Sequence, residues 1–267
     1  MVVGGDVQAH ADTDKRRSVP GVNRTIRVPS WSPMDHRPSR TWGQKMAIVA
    51  GALAVTGGAF VASYPRWRQW CLSWGATANE FAAQLPGDDL LAVPDVAATR
   101  GIWIDAPSEA VWPWLAQMGS GRGGVYTYDW IENLFGLHMH SVDVVLPQFQ
   151  EIKVGDAQKL GRNGPTLRVA LCRPRELLVL RSDDGNWIWT FVLRPQQRGT
   201  RLLSRNRIAT PGASRAVRTF NRYVMEPGSL IMERKMLIGI KTRAERLAQD
   251  GVVPVEPHLA SPATRST

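Results

Sequence analysis

The sequence predicts an α+β chain: one curved antiparallel sheet wrapped on a long C-terminal helix, preceded by a single apolar N-terminal helix. Three observations predict it. Four strand-length apolar runs between Thr166 and Ile208 are separated by turn residues, the pattern of an antiparallel meander. Near the end, Met232, Met236, Ile240, Ala244 and Leu247 recur at four- and three-residue steps, the period of an amphipathic helix. Far upstream, residues 46–64 carry no charge from one end to the other.

The N-terminal residues 1–45 mix Pro, Ser, Arg and Asp without an apolar period and read as a disordered basic arm. Arg16-Arg17 lies far from the apolar run, which argues against a twin-arginine export signal. A helix of residues 46–64 nearly matches a hydrocarbon core of about 30 Å. Lys45 flanks one end, and Arg66, Trp67, Arg68 and Trp70 flank the other as interfacial anchors would. The run is rich in Ala and Gly, so a buried core helix competes with a membrane or signal-anchor helix, as does the apolar region of a signal peptide. Arg27, Arg37, Arg40 and Lys45 precede it, against Arg66 and Arg68 after it. That bias favours a cytoplasmic N-terminus and an exported C-terminal domain, and the charge difference of four against two leaves the orientation open.

Residues 65–95 read as a linker ending near the turn Leu85-Pro86-Gly87-Asp88-Asp89. The main domain then occupies 96–249. A strand over 97–105 puts Ile102 and Ile104 on one face. Pro107 opens a helix whose Val111, Trp114, Leu115 and Met118 form an i, i+3, i+4, i+7 stripe. A second short helix fits 128–134. Strands follow at 166–172, 176–181, 186–193 and 200–208. In the third, Trp187, Trp189, Phe191 and Leu193 alternate with Ile188, Thr190 and Val192, so both faces are covered. Ser229 is a candidate cap for the final helix, with Glu233 near its first turn. Lys241, Arg243 and Arg246 suit its C-terminal dipole. Residues 250–267 read as a frayed tail.

Composition narrows the function. Formal net charge is +10, and the stretch from Arg194 to Arg246 alone has 13 Lys+Arg against 3 Asp+Glu, a net of +10. Those arginines follow no nucleic-acid reading motif, so a nucleic-acid partner is not expected. Arg201, Arg205 and Arg207 share one strand face, to meet anionic headgroups or a ligand carboxylate, or simply to be solvated. Cys71 and Cys172 have no C-x-x-C spacing, so no structural zinc is expected; whether they pair is left open. Gly119, Gly121 and Gly124 spell G-x-G-x-x-G, but after a helix rather than a strand, which excludes a dinucleotide site and leaves a tight loop with Arg122 at its tip. No cofactor is implied, and the oligomeric state is open.

The densest polar-aromatic patch is Tyr126, Tyr128, Asp129, Trp130, Glu132 and Asn133. It reads either as a cavity wall with an orienting carboxylate or as a hydrogen-bonded latch tying the glycine loop to the sheet. His138 and His140 with Asp143 have the letter of a metal triad, but no second cluster supports one and no metal is expected. No nucleophile elbow is present. Asp129, Glu132 and His140 are the only candidates for acid–base work.

Several motifs together resemble one family. They are Trp74-Gly75-Ala76-Thr77, Leu85-Pro86-Gly87-Asp88-Asp89, Ala106-Pro107 with Ala110-Val111-Trp112-Pro113-Trp114-Leu115, and Gln117-Met118-Gly119 with Gly121-Arg122-Gly123-Gly124. The set continues with Tyr126, Tyr128-Asp129-Trp130 and Glu132-Asn133, then Val154-Gly155-Asp156, and Met232-Glu233-Arg234 with Met236-Leu237 and Gly239-Ile240-Lys241. From about Trp74 to Leu247 the chain resembles the SRPBCC superfamily of START-like and polyketide-cyclase-like proteins, in its actinobacterial membrane-anchored branch. The resemblance implies the helix-grip fold with an apolar internal cavity, and no single reaction. The expected ligand residues are Trp114, Tyr126, Tyr128, Trp130, Asn133, His140, Trp189, Met236 and Ile240. The expected function is membrane-anchored binding of a lipid, isoprenoid or polyketide-like molecule, with membrane lipids as further partners. A cyclase or dehydratase using the same cavity is the alternative.

Overall fold

The computed structural model describes residues 42–134, 136, 138–161, 164–196 and 198–251, without the side chains of 42, 43, 45, 48 and 52–61. The expected basic arm and C-terminal tail fall almost wholly outside the described residues. The chain divides into two units, Met1–Leu53 and Ala54–Thr267, and the second carries the domain.

Alternating apolar residues and turn chemistry build one antiparallel sheet. Its strands are β1 (Val96–Ile104), β2 (Ala157–Lys159), β3 (Thr166–Arg173), β4 (Leu177–Ser182), β5 (Trp187–Gln196) and β6 (Gly199–Ile208). Their order across the sheet is β1-β6-β5-β4-β3-β2. The only non-local neighbour is β1, which pairs with β6 over its whole length, from Val96↔Ile208 to Ile104↔Thr200. Gly185, at φ +73°, turns β4 into β5 where an L side chain would be strained. The three-residue edge strand β2 is too short to carry a periodic signal in sequence.

Helices α3 (Ser108–Ala116) and α6 (Glu226–Gln249) cover one face of this sheet. Trp189, Phe191 and Leu193 of β5 and Leu202 of β6 meet Val111, Trp114 and Leu115 of α3 and Met236, Leu237, Ile240 and Ala244 of α6 in one core. This is the helix-grip arrangement. The opposite face of β5 is also covered: Ile188 packs with Leu177 and Val179, under Leu90 and Leu91. The two-sided apolar alternation of β5 therefore reflects two cores.

The stretch 65–95, read as a linker, is packed. Helix α1 runs over Trp42–Ser73, α2 over Ala78–Ala82, and a 3-10 turn over Asp88–Leu91. Thr77 and Glu80 form a reciprocal capping box that starts α2. The β6 arginines then clamp this stretch to the sheet, which corrects both readings of their face. Arg201 holds Glu80 at 2.9 and 2.8 Å and the Gly75 carbonyl at 2.6 Å. Arg205, only 4% exposed, holds Asp88 at 2.6 Å and the carbonyls of Glu80, Phe81 and Ala83. Arg207 takes the carbonyls of Leu91 and Ala92. None of the three is left to meet a headgroup or solvent alone.

Two further expectations are corrected. Ser229 does not cap the last helix. Helix α5 (Arg215–Phe220) and a π-helical turn (Asn221–Met225) run straight into α6 at Glu226. Ser229 sits inside α6 and donates to the Glu226 carbonyl at 2.8 Å. Pro227, in the first turn, suits a helix start that Ser229 only mimics. Second, Arg68, expected as an interfacial anchor, forms a bidentate pair with buried Glu226 at 2.7 Å on each side. Among the described residues no helix is long and apolar enough to cross a membrane. The span expected at 46–64 falls largely on side chains outside those residues.

The Arg201 guanidinium holds the Glu80 carboxyl down at about 2. The folded value is thus below the unfolded one. The stabilisation is present above the ordinary carboxylate range and is lost as pH falls through about 2. Thermal melts of the full chain should lose stability across this acid window. In Glu80→Gln, less stable at neutral pH, that part of the pH slope should vanish. Identical slopes would show that the clamp does not act through charge.

Candidate functional site

The sheet's pleat decides what faces α6. In β1 the even-numbered positions point inward, so Ala98, Arg100, Ile102 and Ile104 share one row. Arg100 is 0% exposed. A buried guanidinium needs a partner for its charge and acceptors for its donors. It finds both: Glu233 of α6 through Nη1, Ser229 Oγ at 3.0 Å, and the Cys71 carbonyl at the end of α1 at 3.1 and 3.0 Å. Asn206 of β6 also donates to Glu233 Oε2, at 3.0 Å.

An aromatic wall adjoins this node. Trp187 and Trp189 stack with centroids 5.6 Å apart and 19° between planes. The Trp187 indole donates to Asn206 Oδ1 at 2.7 Å, and that of Trp189 to Ser204 Oγ at 2.9 Å. Toward Phe191 and Leu202 the space is filled by core side chains. Toward Trp187 and Asn206, both half-buried, it approaches solvent. Glu233 is 6% exposed, and its second oxygen, Oε1, has no hydrogen-bond partner among the described residues. Leaving such an atom unpaired costs about 1–3 kcal/mol, more for a charged group. Sequence reasoning did not single out Arg100, Asn206, Trp187 or the pairing role of Glu233. The signal was present: one charge stands inside the apolar row of β1 and another inside the apolar stripe Leu230, Leu237, Ile240 of α6.

The polar-aromatic patch occupies a different place. Helix α4 (Asp129–Leu134) starts there. Asp129 accepts from Ser141 N and Oγ at 2.8 and 2.7 Å, and Asn133 bridges Met139 N and O at 2.7 and 3.0 Å. The Tyr126 amide donates to Ser141 Oγ, and Val142 N to the Gly123 carbonyl. These residues form a latch, but it ties the glycine loop to the segment around Met139–Val142 rather than to the sheet. The loop itself closes by paired backbone bonds between Gly119 and Gly124. Arg122 folds back over the Phe149 ring.

Among the expected ligand residues, Trp114, Tyr126, Trp189, Met236 and Ile240 are buried in the core. Tyr126 donates to the Trp114 carbonyl at 3.0 Å, and burial pushes its phenol up. A Cβ at Gly239 would come within 2.8 Å of the Tyr126 carbonyl, so glycine there lets α6 pass. Trp130 is 69% exposed, Asn133 and His140 are exposed, and Tyr128 lies outside the core beside Lys235. The nine residues are therefore not gathered around one hollow. His138 is exposed as well, and Asp143 pairs with Arg243 at 2.8 Å. Among the described residues no group of three or more His, Cys, Asp or Glu could hold a metal. Cys71 and Cys172 are separate free thiols.

Two surface hollows lie on the outer flank of α6 and α1. One, of about 270 Å³, is lined by Trp67, Trp70, Tyr128, Leu230, Ile231 and Ile238, among others. The other, of about 480 Å³, is lined by Ser63, Tyr64, Arg66, Trp67 and Trp70.

Glu132 is 6% exposed and accepts from Thr127 Oγ1, while its Oε2 has no partner among the described residues. Burial pushes its carboxyl up, with Asp129 adding to the effect. A raised folded value means stability that is complete below the unfolded value and lost as pH rises through the folded one. Glu132→Gln keeps the Thr127 bond and removes the charge. Denaturant unfolding should show it more stable than the parent, by a margin that grows as pH rises out of the ordinary carboxylate range. A margin independent of pH would contradict this account.

No family model matches the chain, and no curated protein matches it. Solved structures do. The KanY protein is 14% identical over 57% of this chain and 99% of its own, with a TM-score of 0.39. An AHSA1-like protein from Aeromonas hydrophila is 14% identical over 61% of this chain and 99% of its own, with a TM-score of 0.33. A polyketide-cyclase-like protein from Corynebacterium glutamicum is 18% identical over 62% of this chain and 96% of its own, with a TM-score of 0.28. At identities this low no residue role is carried over from them.

Proposed function

We propose that the domain binds an apolar small molecule bearing one hydrogen-bond donor, seated between β5, β6 and α6 at the Trp187 end of the grip. The observation that carries this reading is Glu233 Oε1, buried and without a partner among the described residues, beside two stacked indoles. Sites for small ligands combine mostly apolar walls with a few polar groups that fix orientation. Here the indole faces of Trp187 and Trp189 supply the wall. A ligand hydroxyl or amine would meet Glu233, whose other oxygen already holds Arg100 and Asn206. A lipid, isoprenoid or polyketide-like compound with one such group fits that description.

Native mass spectrometry of the full chain, gently extracted from its source membrane or cytosol, should show a retained small organic mass. Trp187→Arg, which fills and charges the half-buried end, should release it while thermal unfolding stays cooperative. A parent protein that carries nothing, and takes up a hydrophobic fluorophore no better than Trp187→Arg, would overturn the reading.

The same protein is proposed to be held at a membrane by residues 46–64, which are uncharged throughout, with the domain on the outer side. Trp67 and Trp70, 41% and 53% exposed, stand just beyond that run, where interfacial aromatics belong. Membranes washed with alkaline carbonate should retain the chain, and protease added to intact cells should remove the domain. Release by carbonate would sink the tether; full protection would reverse its orientation.

A further inference from the structure

The helix that sequence analysis missed carries an unusual surface. Over Arg215–Met225 the exposed residues alternate between large apolar and basic: Val217, Phe220, Tyr223, Val224 and Met225 are 46–52% exposed, among exposed Arg215, Arg218 and Arg222. No Asp or Glu lies in this stretch.

The surface continues onto two neighbours. Tyr223 packs on Tyr64 with centroids 4.8 Å apart, and Arg222 lies over the Tyr64 ring. The Arg68–Glu226 pair fixes this part of α1 against the start of α6. Trp67 and Trp70 on α1, and Ile231 and Ile238 on α6, then line the 270 Å³ hollow between the two helices. Ile231 is 55% exposed and Ile238 36%. Exposed Arg234 and Lys235 also line it, and exposed Arg66 lines the neighbouring hollow on α1. The two carboxylates of this part of α6, Glu226 and Glu233, are buried in ion pairs, so neither offsets the surface cations. Asp95 meets Arg218 at 3.8 Å.

We propose that this face lies against a bilayer containing anionic phospholipid. Apolar exposure on this scale marks an interaction site. Its chemistry selects the partner: aromatic and aliphatic side chains interleaved with arginines suit the boundary between acyl chains and headgroups. Each basic residue near an anionic surface adds to the attraction, within a Debye length of it. Continuity with residues 46–64 sets the location, and in that respect the inference rests on the tether reading. The charge and exposure of the face do not depend on it.

The test is hydroxyl-radical footprinting of the full chain in nanodiscs of phosphatidylcholine alone, in discs that also hold phosphatidylglycerol, and in detergent. Oxidation of Trp67, Trp70, Phe220, Tyr223 and Met225 should fall severalfold in the anionic discs relative to the neutral ones, with Trp103 of β1 as internal reference. High salt should restore it. The variant Arg215→Glu/Arg218→Glu/Arg222→Glu should stay folded by thermal melt and lose the protection. Equal oxidation of these five residues in all three settings overturns the proposal. So does protection in detergent that rises with protein concentration, which would assign the face to a second copy of the chain. Failure of the tether is read separately: a chain released by carbonate that still sediments with phosphatidylglycerol vesicles, salt-sensitively, keeps the surface and loses the anchor.

Discussion

The structure depends on one buried cation. Arg100 stands at the centre of β1 on the face turned toward α6, where its neighbours in the row are apolar, and it is fully removed from solvent. An unpaired guanidinium in that position would be prohibitive, and breaking such a pair by removing one partner costs about 3–5 kcal/mol. The fold answers with Glu233 and Ser229 from α6 and the last-turn carbonyl of Cys71 from α1. Sheet, gripped helix and first helix are thereby fixed to one side chain. A purely apolar contact would tolerate a slide of α6 along the sheet by one turn. This one does not, because only one register places a carboxylate opposite β1's arginine.

The same logic accounts for much of the chain's basic character. Read from composition, a net charge of +10 suggests an anionic partner. Read from the structure, the arginines of β6 are internal fasteners. Arg201, Arg205 and Arg207 project from alternate positions of one strand, and each is spent on carbonyls or carboxylates between Gly75 and Ala92. A stretch with little regular structure offers many unpaired carbonyls, and the forked guanidinium satisfies several at once. Other cations stay exposed: Arg215, Arg218 and Arg222 on α5 and the π turn, Arg234 and Lys235 on α6, and Lys153, Arg168, Arg173, Arg181 and Arg194 along β3–β5 and their flanks. The overall charge is thus a sum of internal fasteners and surface cations, and only the second population is available to a partner.

What was legible in the sequence followed from periodicity. The four strands of the meander, the first strand, α3, α4 and the stripe of α6 all announce themselves by alternation or by three- and four-residue steps, and the structure reproduces them to within a few residues. Three features were not legible for physical reasons. The β2 edge is too short to show a period. The start of α6 was masked because Ser229 imitates a cap while α5 and the π turn supply no breaker before it. The Arg100–Glu233 node was hidden because a charge inside an apolar row looks like an interruption of the pattern. Two such interruptions, Arg100 and Glu233, are complementary in sign and adjacent in space, which only the topology reveals. The polar patch around Asp129 drew attention by density alone, and proved to be a latch because Asp129 and Asn133 accept from backbone and hydroxyl donors of the neighbouring segment.

The node also bears on how the two proposed surfaces relate. Glu233 is shared: one oxygen holds Arg100 and Asn206, the other has no protein partner. A ligand donor that engages the free oxygen draws electron density from a carboxylate that already balances Arg100. Arg100 in turn holds the Cys71 carbonyl, next to Trp70 and one turn beyond Trp67 on α1. The seat of α1 is therefore two hydrogen bonds away from Glu233, through buried groups. The Arg100 guanidinium is the group common to both: it sits between the grip's interior and the helix that carries the aromatic face, and it belongs to neither alone.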